Sequence, residues 1–470
     1  MNILIRHADI PAVGIRDVRC SNGQIVAISA ALVPEYGDRV FDAGYGALVP
    51  GLNDHHIHLH ATAAARTSLD CSPSVVFNRE SLEAAIVGCK GEGWIRGFGF
   101  HESSYPNLDR KELDRIEPHR PIRIQHQSGM LWILNSVALD LLELHDDLVL
   151  PSGAQRDADG ALNGLFFNLD IWLRGRLRGV RPSLRDLSSE LASYGVTGVT
   201  DAGAGNDVDM ANAMIAAVQQ GEICQRIMLM GNDSLNEFEI TDTDSVSIGP
   251  LKIYLREAEL PSIEELTRRI TRAHNAGRAI AAHCVTRAEL VFLLSVLRDA
   301  GVTPGDRVEH ASVADNATLE MLAALGVSVV TQPHFIAQRG DRYLLNVEKS
   351  DIPWLYRGQG FIKAGVGLAG GSDAPYGSCD PWFAMRAATQ RRTSAGVLMT
   401  AREQLNAETA FGLYCGALDN PTSGYRPPQV GDDADLCLLK CSWRMALRDL
   451  DSSNVRMTLR RGEVAFESIG

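Results

Sequence analysis

The chain has 470 residues, of which 45% are hydrophobic and 22% are charged, so it is long enough to bury a large core and to form more than one domain. The formal net charge of −13 disfavours nucleic acid and anionic membrane surfaces as partners. No apolar run approaches the ~20 residues that a membrane-spanning helix needs.

The N-terminal stretch MNILIRHADIPAVG has one short apolar patch that is interrupted by charged residues, without the apolar region and cleavage site of a signal peptide. The nine cysteines are scattered and form no CxxC pair, which argues against a disulfide framework or a thiolate metal site. We therefore expect a cytoplasmic protein. The sequence leaves the oligomeric state open, with a homodimer as one option.

Both ends of the chain read as short β-strands. Residues 1–49 alternate polar and apolar side chains around turn signals such as Asn22-Gly23, and the segments ADLCLL and VRMTLRRGEVAF lie near the C-terminus. Because chain termini often meet at one surface, we expect residues 1–49 and 411–470 to form one small β-sandwich domain.

The middle of the chain repeats a strand, a loop and an amphipathic helix, the pattern of parallel strands joined by helical crossovers. Eight strands close a barrel, so residues 50–410 are predicted to form a (β/α)8 TIM barrel in an α/β protein. The eight predicted strands are 47–59, 196–202, 225–231, 250–255, 279–285, 307–311, 327–332 and 366–372.

The crossover helices have recognisable ends. In SIEELTRRITRAHNAG, Ser262 and Glu265 form a predicted capping box and Gly277 is the predicted stop. Asp315 and Gly326 frame the helix DNATLEMLAALG in the same way.

The region between the first two predicted barrel strands, about 60–195, is far too long for a crossover loop. It contains strand-like segments, WIRGFGF and PIRIQHQ, and a helix-like segment, SVALDLLELH. We expect an inserted subdomain after the first barrel strand that caps the active site and contacts the substrate.

The segment DHHIHLH holds the strongest chemical signal. Side chains two apart on a strand share a face, so His56 and His58 can converge on one divalent ion. His283, His310 and Asp373 follow or end other predicted strands, and the C-terminal strand ends are where barrel active sites are built. A single histidine on a strand is more often structural, but this whole set in one register predicts a metal centre.

Lys252 ends the fourth predicted strand in a chain where arginine far outnumbers lysine. A lysine at a strand end can simply extend its amine to solvent. A buried amine near cations is instead driven toward neutrality, and a neutral amine can react with carbon dioxide to give a carbamate. Lys252 is therefore a candidate for N6-carboxylation.

These motifs resemble the amidohydrolase superfamily, and within it the amidohydrolase 3 group of YtcJ-like and N-substituted formamide deformylase-like proteins. The resemblance spans almost the whole chain and rests on VPGLNDHHIHLH, WIRGFGF, PIRIQHQSGMLWILNSVAL, DADGALNG, AAHCVTRAEL, RVEHA, TQPHF and GGSDAPYG. It implies one or two divalent ions, commonly zinc. By this resemblance, His56 and His58 bind the buried metal and His283 and His310 bind the second metal. Carboxylated Lys252 is the implied bridge, and Asp373 is the implied ligand and proton shuttle.

The chain departs from the family pattern where a Gly-His pair usually precedes the Asn-Ser of the inserted region, because Met130 stands in place of that histidine. A thioether there suggests a less polar substrate. His101, Met130 and His334 are the candidate substrate contacts.

The expected activity is hydrolysis of an amide-like carbon–nitrogen bond by water activated at the metal, with Asp373 moving the proton. His310 is a second catalytic candidate, because it could hydrogen-bond the substrate carbonyl at a one-metal site. The alternatives are a hydrolytic deaminase or lactonase on the same scaffold, and a non-catalytic binding protein, which usually loses metal ligands.

Overall fold

The computed structural model describes residues 2–91, 93–176, 181–240 and 245–468. The strands are β1 (Asn2–Ile10), β2 (Gly14–Ser21), β3 (Gln24–Ser29), β4 (Asp38–Asp42), β5 (Leu48–Pro50), β6 (Leu52–Ile57), β7 (Leu69–Asp70), β8 (Ile95–Phe100), β9 (Ile122–His126), β10 (Leu131–Leu134), β11 (Ala154–Arg156), β12 (Leu162–Phe167), β13 (Val196–Asp201), β14 (Arg226–Gly231), β15 (Val246–Tyr254), β16 (Ile280–Cys284), β17 (Arg307–His310), β18 (Ser328–Thr331), β19 (Leu368–Gly370), β20 (Leu436–Leu439), β21 (Val455–Arg460) and β22 (Glu463–Glu467). The α-helices are α1 (Leu59–Arg66), α2 (Arg79–Val87), α3 (Arg110–Ile116), α4 (Ser136–Leu141), α5 (Asp170–Arg176), α6 (Arg185–Ser193), α7 (Val208–Gln219), α8 (Ile263–Asn275), α9 (Arg287–Ala300), α10 (Asn316–Leu325), α11 (His334–Asn346), α12 (Gln359–Ala364), α13 (Pro381–Gln390), α14 (Ala407–Gly412) and α15 (Trp443–Ala446).

Eight parallel strands form the central sheet, in the order β6, β13, β14, β15, β16, β17, β18, β19. Every residue of β13 and of β17 is buried, as expected for strands that are covered on both faces. The predicted TIM-barrel fold in a mixed α/β protein is therefore confirmed. All the strands point the same way, so their carboxyl ends share one rim.

The first and last strands of this sheet meet and nearly close the barrel. The Asp373 N–H donates to the His56 carbonyl at 2.7 Å, and the His58 N–H donates to the Ala374 carbonyl at 2.9 Å. These bonds join the end of β6 to the segment that follows β19. The seam of the barrel therefore lies among the predicted metal ligands.

Two four-stranded sheets come from the ends of the chain. One has the order β3-β2-β1-β4, with β4 parallel to β1, and the other is antiparallel with the order β22-β21-β20-β5. Buried side chains of both sheets share one hydrophobic cluster, to which Ile5, Val18, Leu438 and Met457 belong. The sheets thus pack as a small sandwich around a common core.

The predicted strand 47–59 is divided into two. β5 pairs within the sandwich and β6 pairs within the barrel, with Gly51 between them. A Cβ at Gly51 would lie 2.2 Å from the Thr197 hydroxyl oxygen, so glycine permits the close passage from one sheet to the other. The prediction of one continuous strand was wrong because hydrophobicity alone does not reveal a change of sheet.

The helix ends follow the local sequence signals. The Ser262 side chain accepts from the Glu265 N–H, which is one half of the predicted capping box. The Asp315 side chain accepts from the Thr318 N–H, and Gly326 ends that helix in the left-handed conformation. Among the described residues, no helix has both the length and the apolar character needed to cross a membrane.

The chain divides into two compact units, of which the larger comprises Met1–Leu59 with Leu184–Gly470 and the inserted unit comprises His60–Ser183. The inserted unit has its own mixed sheet, in the order β11-β12-β10-β9-β8-β7. Two hydrophobic clusters fill it, one around Leu82, Ile95 and Ile124 and the other around Leu139 and Phe166. This core of its own makes the insertion a subdomain rather than a long loop.

Candidate metal centre

The carboxyl ends of the barrel strands carry the predicted ligands. His56 lies in β6 and His58 follows that strand, while His283 lies in β16 and His310 ends β17. Asp373 follows β19. All five residues therefore lie toward the same rim, where loops of the barrel enclose ligands.

Asp373 lies between two imidazoles. Its Oδ1 atom is 3.4 Å from His56 Nε2 and 3.3 Å from His58 Nε2. Ligand atoms of His56, His310 and Asp373 all lie within 4.8 Å of one another. Two imidazoles and a carboxylate in this arrangement match the ligands that zinc and similar ions prefer.

His283 and Lys252 complete the predicted set from neighbouring strands. The His283 ring centroid is 4.6 Å from that of His310, and the ring of Tyr254 stacks on His283 at 4.3 Å. Lys252 is only 3% exposed, and its Nζ atom has no hydrogen-bond partner among the described residues. A buried amine without a partner is costly unless a further group satisfies it.

Asp373 and His310 are held in the protonation states that metal binding needs. Burial raises the pKa of Asp373, but its side-chain contacts with His56 and His58 and the charges of His56 and His310 outweigh it and hold that pKa well below its usual range. Burial lowers the pKa of His310 to about 4, so this imidazole is neutral near pH 7. Burial also lowers the pKa of Lys252.

The ring orientation of His310 follows from its partner. His310 Nδ1 lies 2.8 Å from the Gln332 side-chain oxygen, which only accepts, so Nδ1 carries the proton and donates. The lone pair of Nε2 is then available for a cation.

Two of the predicted site residues have unusual backbone conformations. His310 has φ +71° and Asp373 has φ +49°, in the left-handed region that non-glycine residues rarely occupy. Hydrogen bonds to their backbone atoms hold both in place, since the His310 carbonyl accepts from the Thr331 hydroxyl at 3.1 Å and the Asp373 N–H donates to the His56 carbonyl. Strain of this kind is concentrated at functional sites.

Sequence reasoning missed a buried group behind His56. Glu309 is fully buried and its Oε2 atom is hydrogen-bonded to His56 Nδ1. Its Oε1 atom accepts from Arg307 Nε at 2.7 Å. A signal was present in RVEHA: Arg307 and Glu309 are two apart on a buried strand, so they share a face, and two opposite charges there are seldom accidental.

His334, a predicted substrate contact, is fully buried. Its Nε2 atom is 3.0 Å from the Ser372 carbonyl oxygen, to which it donates. This bond holds the segment that carries Asp373, and it gives His334 a supporting place behind the rim.

His101 and Met130, the other predicted substrate contacts, lie in the inserted unit. His101 and His126 stack at 5.7 Å, with Glu102 beside both. The N–H groups of Ser103 and Ser128 donate to Nδ1 of the two rings at 3.1 Å. Each neutral ring therefore carries its proton on Nε2, which disfavours this cluster as a second metal site.

Comparison with known proteins extends this description. A model of the amidohydrolase family matches residues 39–466. N-substituted formamide deformylase of Arthrobacter pascens is 25% identical over 88% of each chain, and the putative amidohydrolase YtcJ of Bacillus subtilis (strain 168) is 24% identical over 89% of each. The crystal structure of an uncharacterized metal-dependent hydrolase from Pyrococcus horikoshii OT3 shares the fold, with a TM-score of 0.73 and 20% identity over 94% of this chain and 97% of that one.

Proposed function

Since the chain belongs to the amidohydrolase family, hydrolases that act on carbon–nitrogen bonds other than peptide bonds, we propose that it hydrolyses an amide-like bond of a small molecule at a divalent metal centre. The observation that supports this proposal most is the meeting of His56, His310 and Asp373 within 4.8 Å of one another at the barrel rim. The three groups come from strands far apart in sequence, and local packing needs no such convergence.

The residues present fit a divalent ion. His56, His58 and Asp373 would form one side of the site, and His283 and His310 would form the other. Lys252 is buried, and its Nζ atom has no hydrogen-bond partner in the described structure, as expected for a group that binds a ligand or is modified. Nitrogen and carboxylate donors favour zinc, which is the metal we propose.

When bound, the ion would lower the pKa of the attacking water and polarise the substrate carbonyl. Asp373 then has the central role among the protein groups. Its low pKa makes it a carboxylate at neutral pH, so it can accept a proton from the attacking water and return it to the leaving nitrogen. His310 lies within the same cluster and can hydrogen-bond the substrate carbonyl if it is not a ligand.

We further propose that Lys252 is N6-carboxylated when two ions are present. The amine attacks carbon dioxide, the new N–C bond gives a carbamate, and one proton leaves to solvent. The negative carbamate would replace an unsatisfied buried amine by a bridging ligand. The lowered pKa of Lys252 favours the neutral amine that this reaction requires.

The proposed function is tested by removing and restoring the metal. The protein should hydrolyse at least one member of a panel of N-substituted formamides, other amides, N-acyl compounds, carbamates, lactones and aminated heterocycles. Prolonged dialysis against a chelator should abolish this activity, and zinc should restore it. Release of ammonia from heterocycles alone would indicate a deaminase, and ring opening of lactones alone would indicate a lactonase.

A protein that takes up no divalent ion would contradict the proposal for every substrate class. Cytoplasmic residence and a homodimer stay predictions that need separate measurements, namely cell fractionation and sedimentation.

A further inference from the structure

A buried chain of hydrogen bonds leads from the barrel core to His56. The Arg307 guanidinium donates to the His55 carbonyl at 2.9 Å and to Glu309 Oε1 at 2.7 Å. Glu309 Oε2 is hydrogen-bonded to His56 Nδ1. Arg307 is 1% exposed and Glu309 is 0% exposed, so water does not compete for either group.

Glu309 is the acceptor for both of its buried partners. One carboxylate oxygen accepts from the Arg307 guanidinium, and the other lies against His56 Nδ1. A carboxylate that is paired with a guanidinium only accepts hydrogen bonds. His56 must therefore donate from Nδ1, and its Nε2 atom is the one that lies 3.4 Å from Asp373.

We propose that Glu309 is a positioning residue that holds the His56 ring with Nδ1 protonated, so that Nε2 binds the metal, and that Arg307 holds Glu309 in place for this purpose. The proposal rests on the proposed function, because it concerns the same metal centre. A carboxylate behind a histidine ligand fixes the ring and increases its donor strength.

The buried imidazoles of His56 and His310 have different hydrogen-bond partners, so they should differ as ligands. His310 donates to the neutral amide oxygen of Gln332, whereas His56 donates to a full negative charge. A charged acceptor makes the stronger hydrogen bond. His56 should therefore be the more strongly held and the more basic ligand, and losing Glu309 should weaken metal binding more than losing the Gln332 acceptor.

A purely structural role is the competing explanation, and the chain offers a matched control for it. Glu403 is 2% exposed and accepts from Arg357 Nε at 2.9 Å, and it also accepts the Gly360 N–H at 2.7 Å. This pair is also a buried Arg–Glu pair of the larger unit, but within the described part of the chain none of its hydrogen-bond partners is a predicted ligand. Glu403→Gln should therefore reproduce the loss of a buried charge without the loss of a metal-positioning group.

The test measures cobalt(II) binding by the full-length protein after chelator treatment, using the visible absorption of the bound ion. Glu309→Gln should weaken cobalt affinity about 10- to 100-fold and change the absorption bands, the range typical of groups behind a ligand. Glu309→Asp, which keeps the charge, should recover part of the affinity. Glu403→Gln should bind cobalt like the wild type even where its thermal stability falls.

Wild-type affinity and wild-type bands in Glu309→Gln would overturn the proposal and leave the proposed function intact. A wild-type protein that takes up no cobalt would instead overturn the proposed function and this inference with it. If Glu309→Gln does not fold, a crystal structure of the cobalt-loaded wild type tests whether Glu309 positions the His56 ring. His56 Nε2 on the ion with Nδ1 still bonded to Glu309 supports the proposal, and a flipped ring or direct coordination by Glu309 overturns it.

Discussion

Asp373 Oδ1 lies 3.3 Å from His58 Nε2, although the two residues follow the eighth and the first strand of the barrel. They meet because β6 and the segment after β19 are joined by backbone hydrogen bonds at the seam of the barrel. Closure of the sheet therefore brings these predicted ligands together, and a change that disturbs the seam should disturb the proposed metal binding as well.

Replacing Asp373 by Asn should lower turnover about 10²- to 10⁴-fold, the usual range for loss of general acid–base catalysis. The amide keeps the shape and one oxygen donor of the carboxylate but cannot accept the proton. Steady-state kinetics together with metal analysis check this prediction. Asp306→Asn is the control, since Asp306 is also buried but accepts the Ile280 N–H at the opposite end of the barrel. Equal turnover in Asp373→Asn and wild type would exclude the shuttle role.

Gly371→Ala should damage both stability and metal binding. The added Cβ would lie 2.5 Å from His56 Cβ and 2.7 Å from the His56 nitrogen, so the backbone of a predicted ligand must move. Overpacking of this kind costs about 1–3 kcal/mol of unfolding free energy. Urea unfolding and zinc content measure the two effects. Gly93→Ala has nothing within 4 Å of the new methyl group and should match the wild type in both.

Acid should destabilise the metal-free protein partly through His334. Burial lowers the pKa of His334 from 6.5 to about 4, so the folded state resists a proton that the unfolded state accepts. The contribution to stability is therefore complete above pH 6.5 and is lost as the pH falls toward 4. At about 1.4 kcal/mol per pKa unit, it amounts to about 3 kcal/mol, of which about 2 kcal/mol is lost between pH 7 and pH 5.

Urea unfolding of His334→Gln at the two pH values measures this loss, because glutamine can still donate to the Ser372 carbonyl but does not titrate. The variant should lose about 2 kcal/mol less than the wild type over that interval. His145→Gln, at an exposed histidine, should follow the wild-type curve. A His334→Gln protein as acid-sensitive as the wild type would show that other groups cause the loss.

Lys252→Ala should abolish activity, and added short carboxylates should partly restore it by taking the place of the carbamate. Lys363→Ala removes an exposed lysine and should leave activity unchanged. Electron density or an intact mass for the metal-loaded wild type gives the direct check. An unmodified Lys252 amine in that protein would rule out carboxylation and favour a single ion.

Much of the scaffold could be read from local patterns. The repeated unit of β-rich run, loop and amphipathic helix predicted the barrel strands, and N-capping residues such as Ser262 and Asp315 predicted where helices begin. These features depend on neighbours in the chain, so they can be predicted without knowledge of the fold. The change of sheet at Gly51 could not be predicted in this way, because it depends on the close approach of Thr197.

The sequence alone determined which chemical groups stand at the ends of parallel strands, because strand direction and side-chain alternation are local properties. Only the tertiary structure decided that Asp373 faces His56 and His58, since that contact requires the barrel to close. It also revealed Glu309 behind His56: hydrogen bonding and burial of a carboxylate depend on every strand around it, and no stretch of RVEHA by itself specifies its partner.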